Sequence, residues 1–209
     1  MTSPHAPTLL TAELLGSDPI LTFNAWLAEA EMASGMRYPN AVTLSTVDAQ
    51  GNPDGRIVLL KGTDARGFQF FTNYDSRKGA ALTATPRAAL TFYWDAQGRQ
   101  IRARGAVVRL PESESDAYFA SRPRASRIGA WASRQSEAID SRDALDAAYA
   151  EEEERFADLD VPRPPHWGGF VLSPTEVEFW QEVPFRLHDR FLFRKGEDGT
   201  WAPPTRISP

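Results

Sequence analysis

Residues 41–61 read Ala41-Val42-Thr43-Leu44-Ser45-Thr46-Val47-Asp48-Ala49-Gln50-Gly51-Asn52-Pro53-Asp54-Gly55-Arg56-Ile57-Val58-Leu59-Leu60-Lys61. In the first seven, Val42, Leu44 and Thr46 alternate with Thr43, Ser45 and Val47, the period-2 spacing that sends successive side chains to opposite faces of a strand. The polar stretch 48–53, with Gly51 and Pro53, then turns the chain, and Arg56 to Lys61 follows as a second strand. The segment is an antiparallel hairpin. A second turn, Asp64-Ala65-Arg66-Gly67, leads into a strand at Phe68 to Thr72, and further strands are expected at Ala88 to Trp94 and Gln100 to Leu110. Five strands joined mostly by short connections predict a barrel or a sandwich.

Outward from this core the period changes. Upstream, Asp18 is a good N-cap, Pro19 suits the first helical position, and Phe23, Trp26, Leu27 and Ala30 fall at i, i+3, i+4 and i+7, so an amphipathic helix is expected to end before Tyr38-Pro39-Asn40. Residues 1–17 show no sustained period and are expected to be a mobile arm, with order beginning at Asp18 and a single domain spanning 18–209. Downstream, helices are expected at Lys78 to Thr85, at Ser113 to Ser121 with Ser113-x-x-Asp116 as a capping box, and at Ser141 to Phe156 with Leu145, Ala148, Tyr149 and Phe156 on one face. Strands resume at Gly168 to Leu172, Glu176 to Gln181 and Leu187 to Arg194. The fold class is mainly β with flanking helices, an α+β arrangement.

Composition excludes several functions. The 209 residues, 42% hydrophobic and 11% aromatic, are enough for one sizeable core. A formal charge of −5 argues against a surface built to neutralise a nucleic-acid backbone. The absence of cysteine removes disulfide scaffolds, thiolate metal sites and thiol catalysis together, and His5, His166 and His188 are too scattered for metal-ligand spacing. No stretch has the length of an apolar span and the start has no secretory-signal pattern, so neither a membrane nor a nucleic-acid partner is expected and the protein reads as cytoplasmic.

Within this acidic chain the cations group locally: Arg56 with Lys61, Arg77 with Lys78, Arg122 with Arg124 and Arg127, and Arg186 with His188 and Arg190. Each group lies near the end of a predicted element, where backbone N–H groups and guanidinium forks can meet a phosphate. Taken singly, each is as well explained by a solvated surface or an ion pair. Arg56 and Lys61 are harder to dismiss, because they flank an apolar run and burying either without an anion is costly. Trp180 and Gln181 offer a stacking face and an amide for a planar heterocycle, although a core tryptophan fits Trp180 equally well. His188 suits a base or an anion contact, or a structural pair with Asp189. His166, in a proline-rich loop, reads as structural.

Taken in order, Arg56-Ile57-Val58-Leu59-Leu60-Lys61-Gly62, Phe71-Thr72-Asn73-Tyr74, Ser76-Arg77-Lys78-Gly79, Arg99-Gln100, Tyr118-Phe119-Ala120-Ser121-Arg122-Pro123-Arg124, Gly129-Ala130-Trp131-Ala132-Ser133, Gln135-Ser136, Pro164-Pro165-His166-Trp167-Gly168-Gly169, Glu178-Phe179-Trp180-Gln181 and Arg186-Leu187-His188-Asp189-Arg190 resemble the pyridoxine/pyridoxamine 5′-phosphate oxidase family. The resemblance runs from Asp18 to the C-terminus. It implies an antiparallel Greek-key split β-barrel, a homodimer with FMN at the subunit interface, and oxidation of phosphorylated B6 vitamers to pyridoxal 5′-phosphate, with oxygen as acceptor and hydrogen peroxide as product. By the same resemblance Arg56, Ile57, Val58, Leu59, Leu60, Lys61, Phe71, Thr72, Arg77, Lys78, Gln100, Gln135, Ser136, Trp180 and Arg190 surround FMN. Lys61, Tyr118, Arg122 and Ser126 hold the substrate phosphate, and Arg186 and His188 are the catalytic pair over the pyridine ring. Two phosphorylated ligands give an acidic protein a reason to keep two cationic cradles.

Three departures stand beside the resemblance. The segment before Asp18 has no arginine or tyrosine where the family often carries a basic lid, Glu182 replaces the glycine usual after Trp-Gln, and the tail Trp201-Ala202-Pro203-Pro204 is proline-rich. A related flavin oxidase of another aromatic metabolite, of the phenazine type, is the nearest alternative. A split-barrel protein that binds FMN or pyridoxal phosphate without turnover is the other. Lys61 argues against the first, and Arg186 with His188 against the second.

Overall fold

The computed structural model describes residues 9–33 and 35–209, and in it the deciding hairpin forms as β1 (Ala41–Val47) and β2 (Pro53–Leu59), paired antiparallel with Thr43 opposite Ile57. Val42, Leu44 and Thr46 are buried, as the alternation demands. The second strand ends earlier than its apolar run. Leu60 turns into the core and its N–H bonds the Asn40 carbonyl, while the Lys61 N–H bonds the Gln69 carbonyl, so at 60–61 the chain leaves β1 for the next hairpin. That hairpin is β3 (Gly62–Asp64) with β4 (Gly67–Asn73). Gly67 is required at its turn: φ is +135°, and a Cβ there would stand 1.9 Å from the Leu172 carbonyl oxygen.

The sheet continues with β5 (Arg87–Trp94), β6 (Arg99–Arg109), β7 (Trp167–Gln181), β8 (Asp189–Arg194) and the two-residue β9 (Thr205–Arg206). Its order is β2-β1-β5-β6-β7-β4-β3, all antiparallel, with β8 also on β7 and β9 on β8. The two strands expected at 168–172 and 176–181 are one strand of 15 residues. Pro174 breaks the sequence pattern but not the strand, because it falls at a register shift against Arg104 and Gly105, where a proline is tolerated. On one edge β7 pairs β4 through residues 167–172 and β8 through residues 176–181, which splits the curled sheet into two wings. β8 starts at Asp189 rather than Leu187, and the short β9 fits the proline-rich tail.

Among the described residues six helices flank this half-barrel: α1 (Ala12–Leu15), α2 (Pro19–Met32), α3 (Arg77–Ala84), α4 (Glu112–Ser121), α5 (Arg124–Ala132) and α6 (Arg142–Arg155). Asp18 caps α2 through the Ile20 N–H at 2.8 Å, and the helix buries Phe23, Trp26 and Ala30, with Phe23 4.9 Å from Phe68 and 4.8 Å from Phe92 between ring centroids. Residues 9–17, expected to belong to the arm, instead form α1 and are held to the domain at two points. Leu10 and Leu15 are buried, and the Leu10 N–H donates to Asp189 at 2.8 Å. Two leucines too close together to show a period were enough to anchor them; residues 1–8 of that expected arm lie outside the described residues.

The capping box at Ser113 does not form. α4 begins one residue earlier behind Pro111, Asp116 pairs with Arg163 at 2.6 Å, and Glu112 and Glu114 face the positive helix start. α5, whose single buried apolar residue is Ile128, was not predicted. Phe119, Ile128, Phe156, Val161 and Trp167 form a second, smaller core beneath α4, α5 and the end of α6. Among the described residues no helix is long and apolar enough to cross a membrane.

Candidate functional site

A cavity of about 660 Å3 opens between β2, β4, the start of α3, α4 and α5. Eleven of the expected site residues line it: Ile57, Val58, Leu59 and Lys61 from β2 and its exit, Phe71 and Thr72 from β4, Lys78 from α3, Tyr118 and Arg122 at the end of α4, Ser126 from α5, and Gln135. One wall is an aromatic stack. Phe71 and Tyr118 lie 4.0 Å apart at 22°, and Trp167 continues the stack 5.6 Å from Phe71 at 13°.

Three cations face this space, and no carboxylate is among the residues lining it. Ser76 caps α3 through the Gly79 N–H, and this places Lys78 in the first helical turn. The Lys78 ammonium donates only to neutral oxygens, at 3.1 Å to Thr72 Oγ1, 3.1 Å to Ser76 Oγ and 2.8 Å to Gln135 Oε1. Burial, reinforced by Arg56 and opposed by Asp54, pulls its pKa down to about 8. Arg122 lies over Trp167 at 4.6 Å with its Nη1 buried and unpaired, and burial pushes its guanidinium down as well. Lys61 Nζ stands 5.9 Å from the Tyr118 ring. Lys61 is exposed, whereas Lys78 and Arg122 are half-buried cations left without an anionic partner among the described residues, as an anion-binding site requires.

The other expected residues are elsewhere. Leu60 is core. Arg56 turns to the inner face and is satisfied at home, by Asp54 at 2.6 Å, Thr46 Oγ1 at 2.7 Å and the Leu44 carbonyl at 3.1 Å. Arg77 projects into solvent, 3.8 Å from Asp54, and its N–H donates to Ser136 Oγ at 3.3 Å, with Ser136 held at φ +77°. Of the three-arginine group only Arg122 faces the cavity. Arg124 binds the carbonyls of Phe156, Ala157 and Leu159 where α6 ends, and Arg127 binds Asp160 at 2.8 Å and the Val161 carbonyl.

Gln100, Trp180, His188 and Arg190 form a second cluster, with Arg186 on the loop that leads into it, and none of the five lines the cavity of the same chain. Gln100, Trp180 and Arg190 sit in register across β6, β7 and β8. Trp180 is not a core tryptophan: it is half-buried, its ring 4.6 Å from that of His188. His188 does not pair with Asp189, which is engaged by the Leu10 N–H and Arg206. Instead, His188 Nδ1 accepts the Val183 N–H at 3.2 Å, so the neutral ring carries its proton on Nε2. Arg190 is held by Glu178, at 2.9 Å through Nε and 2.8 Å through Nη2, and by the Ser208 carbonyl. His166 is structural, its Nε2 3.0 Å from the Ala130 carbonyl.

Sequence reasoning missed Asn73, Gly129, Ser133 and Trp167 in the cavity wall. All four stood within motifs quoted above but carried no assigned role at the site.

Comparison with known proteins agrees with this geometry. Residues 28–156 match the family model described as pyridoxamine 5′-phosphate oxidase, and residues 167–209 match that of the pyridoxine 5′-phosphate oxidase C-terminal dimerisation region. A pyridoxine/pyridoxamine 5′-phosphate oxidase of Cupriavidus metallidurans is 54% identical over 192 residues, covering 92% of this chain and 89% of the relative. Among solved structures, PhzG from Burkholderia lata 383, in complex with tetrahydrophenazine-1-carboxylic acid, superposes with a TM-score of 0.89 at 34% identity, over 98% of this chain and 100% of that one. A pyridoxamine 5′-phosphate oxidase-related, FMN-binding protein from Nostoc punctiforme shares the split-barrel fold, with a TM-score of 0.73 at 17% identity over 93% of this chain and 100% of that one. The chain belongs to the pyridoxine/pyridoxamine 5′-phosphate oxidase family, whose members are FMN-dependent oxidoreductases.

Proposed function

We propose that this chain works in the cytoplasm as a homodimer that oxidises pyridoxine 5′-phosphate and pyridoxamine 5′-phosphate to pyridoxal 5′-phosphate, with FMN as cofactor and oxygen as electron acceptor. The observation that carries this reading is the carboxylate-free cavity in which Lys61, Lys78 and Arg122 face an aromatic wall without an anionic partner. The cations fall into two groups that share no hydrogen-bond partner, Lys78 with Thr72 and Gln135, and Arg122 with Lys61 around Tyr118. Two phosphorylated ligands fit two such groups, and the volume lies in the range of small-molecule sites, roughly 300–1,000 Å3.

Lys78, Thr72 and Arg77 would hold the FMN phosphate, with Arg56 to Lys61, Phe71, Gln135 and Ser136 around the rest of the cofactor. Lys61, Tyr118, Arg122 and Ser126 would hold the substrate phosphate. In the homodimer the row Gln100, Trp180 and Arg190 of one subunit would complete the cofactor site of the other, and Arg186 and His188 would press the pyridine ring against the flavin. The match of 167–209 to a dimerisation region and the absence of these five residues from their own chain's cavity support that arrangement. When bound, FMN supplies the acceptor for the hydride leaving C4′ and the route by which oxygen takes the electrons as hydrogen peroxide. The protein's part is positioning: Arg186 and His188, the latter presenting an Nε2–H donor, fix the ring so that C4′ approaches along one path. No side chain serves as a covalent nucleophile. With the amine substrate, water completes the hydrolysis and ammonia leaves.

PhzG, a neighbour at a TM-score of 0.89, favours a second reading, oxidation of a tricyclic aromatic acid. Lys61 and the unpaired Arg122 Nη1 weigh for a phosphorylated substrate. The test is aerobic turnover of the FMN-loaded protein with each phosphorylated vitamer. Pyridoxal 5′-phosphate and hydrogen peroxide appearing in equal amounts is expected; no aldehyde from either vitamer would overturn the assignment.

A further inference from the structure

The loop between β7 and β8 carries an apolar side chain where a soluble surface has no use for one. Phe185 is 93% exposed, more than any other large apolar residue among those described, and Leu187 beside it is 66% exposed. The backbone is also unfavourable. Phe185 and Arg186 have φ of +63° and +62°, two of only three non-glycine residues described with positive φ. A Cβ disfavours that left-handed conformation, and two successive residues adopt it only where the surroundings impose it. Here they do. The Glu182 N–H bonds the Gly98 carbonyl at 2.7 Å, the Val183 N–H bonds His188 Nδ1 at 3.2 Å, the Leu187 N–H bonds the Pro184 carbonyl at 3.3 Å, and the His188 ring rests on Trp180. The loop is thus pinned at both ends, and its strain holds a phenyl ring away from its own chain, directly before Arg186.

We propose that Phe185 is a specificity-determining residue for the oxidation: in the homodimer it enters the mouth of the partner subunit's cavity and forms the apolar wall against the edge of the substrate ring. This rests on the function proposed above. The occupant of the surrounding space is a second copy of this chain, because the loop lies inside the 167–209 stretch that matches a dimerisation region. The cavity has an aromatic wall in Phe71, Tyr118 and Trp167, and no residue of the loop closes it within one chain. A rigid phenyl at the mouth leaves room for a single pyridine ring and crowds a tricyclic one. Its pinned backbone keeps it there at little cost in ordering on binding.

The experiment uses the FMN-loaded dimer and two variants, Phe185→Asn and Phe185→Ala. Asparagine tolerates the left-handed backbone, so Phe185→Asn removes the phenyl and relieves the strain together. The KM for pyridoxine 5′-phosphate is expected to rise about tenfold in both variants, more than kcat falls. The dissociation constant of the product pyridoxal 5′-phosphate, measured by equilibrium dialysis without turnover, should rise in parallel. The dimer and its FMN content should persist, with the melting temperature of Phe185→Asn unchanged or higher by about 2–4 °C. Unchanged KM and product affinity in both variants would overturn the role of Phe185. Loss of the dimer with a lower melting temperature would also overturn it, by making the phenyl an interface-packing residue. A wild-type dimer that binds neither vitamer nor product would overturn the proposed function and this inference together, whereas normal wild-type binding with equal binding by the variants would overturn this inference alone.

Discussion

Lys78 shows how one residue records what a site is built for. Its ammonium is surrounded by hydroxyls and an amide, and burial holds its pKa near 8, well below the 10.5 of a free lysine. Between about pH 8 and 10.5 the unfolded chain therefore binds more protons than the folded one, so the FMN-free protein gains stability as pH rises through that window. A bound phosphate reverses the preference, since a dianion favours the charged ammonium, and binding above pH 8 takes up a proton. The dissociation constant of FMN, followed by flavin fluorescence, is expected to rise above pH 8 by up to about tenfold per pH unit, and Lys78→Gln should remove that slope. An identical slope in the variant would deny Lys78 its place at the phosphate. The cation groups were legible in the sequence because they flank predicted elements. Which of them are free was not. Arg124 and Arg127 are taken by carbonyls and a carboxylate more than thirty residues away, and Arg56 by Asp54 only two residues away, on the same hairpin.

Among elements, β8 is tied at its start to both ends of the chain. Asp189, 4% exposed, accepts the Leu10 N–H and Arg206, and Arg206 Nη2 returns to the Leu10 carbonyl at 2.8 Å. Asp189→Ala leaves the buried Leu10 N–H without an acceptor and should lower the unfolding free energy by about 1–3 kcal/mol in urea titration; Asp189→Asn, which keeps an acceptor, should cost less. Equal stability of all three proteins would show that the clasp contributes nothing. None of this was readable locally, because its partners are 179 and 17 positions away. The periodic elements were readable: β1, β4, β5 and β6 lie within a residue or two of expectation, since one buried face stamps its period on each, and α2 starts where expected but stops at Met32, well before Tyr38. The failures have local causes. Pro174 disguised a continuous strand, and the apolar run to Lys61 concealed the point where the chain changes partners.

At the scale of the whole molecule, none of the Gln100–Trp180–Arg190 row lines the cavity of its own chain, and the proposed function gives that row to the cavity of the partner subunit. If each site draws on two subunits, Arg122→Ala and Arg186→Ala, each inactive alone, should complement when co-expressed. Mixed dimers then hold one intact site and one doubly altered site, so each has about half of wild-type activity and the randomly assorted population, half of it mixed, about a quarter. No recovery in mixed dimers would place both residues in the same site of one chain. The split barrel itself was legible through the motifs and their order, whereas the division of labour between subunits leaves no local trace in a sequence. The most direct test of the account is a single anaerobic mixing. FMN-loaded protein is combined with pyridoxine 5′-phosphate, and separately with pyridoxamine 5′-phosphate, while the absorbance of the oxidised flavin is followed. The account predicts bleaching that reverses when air is admitted; a flavin that stays oxidised with both phosphorylated vitamers would contradict it.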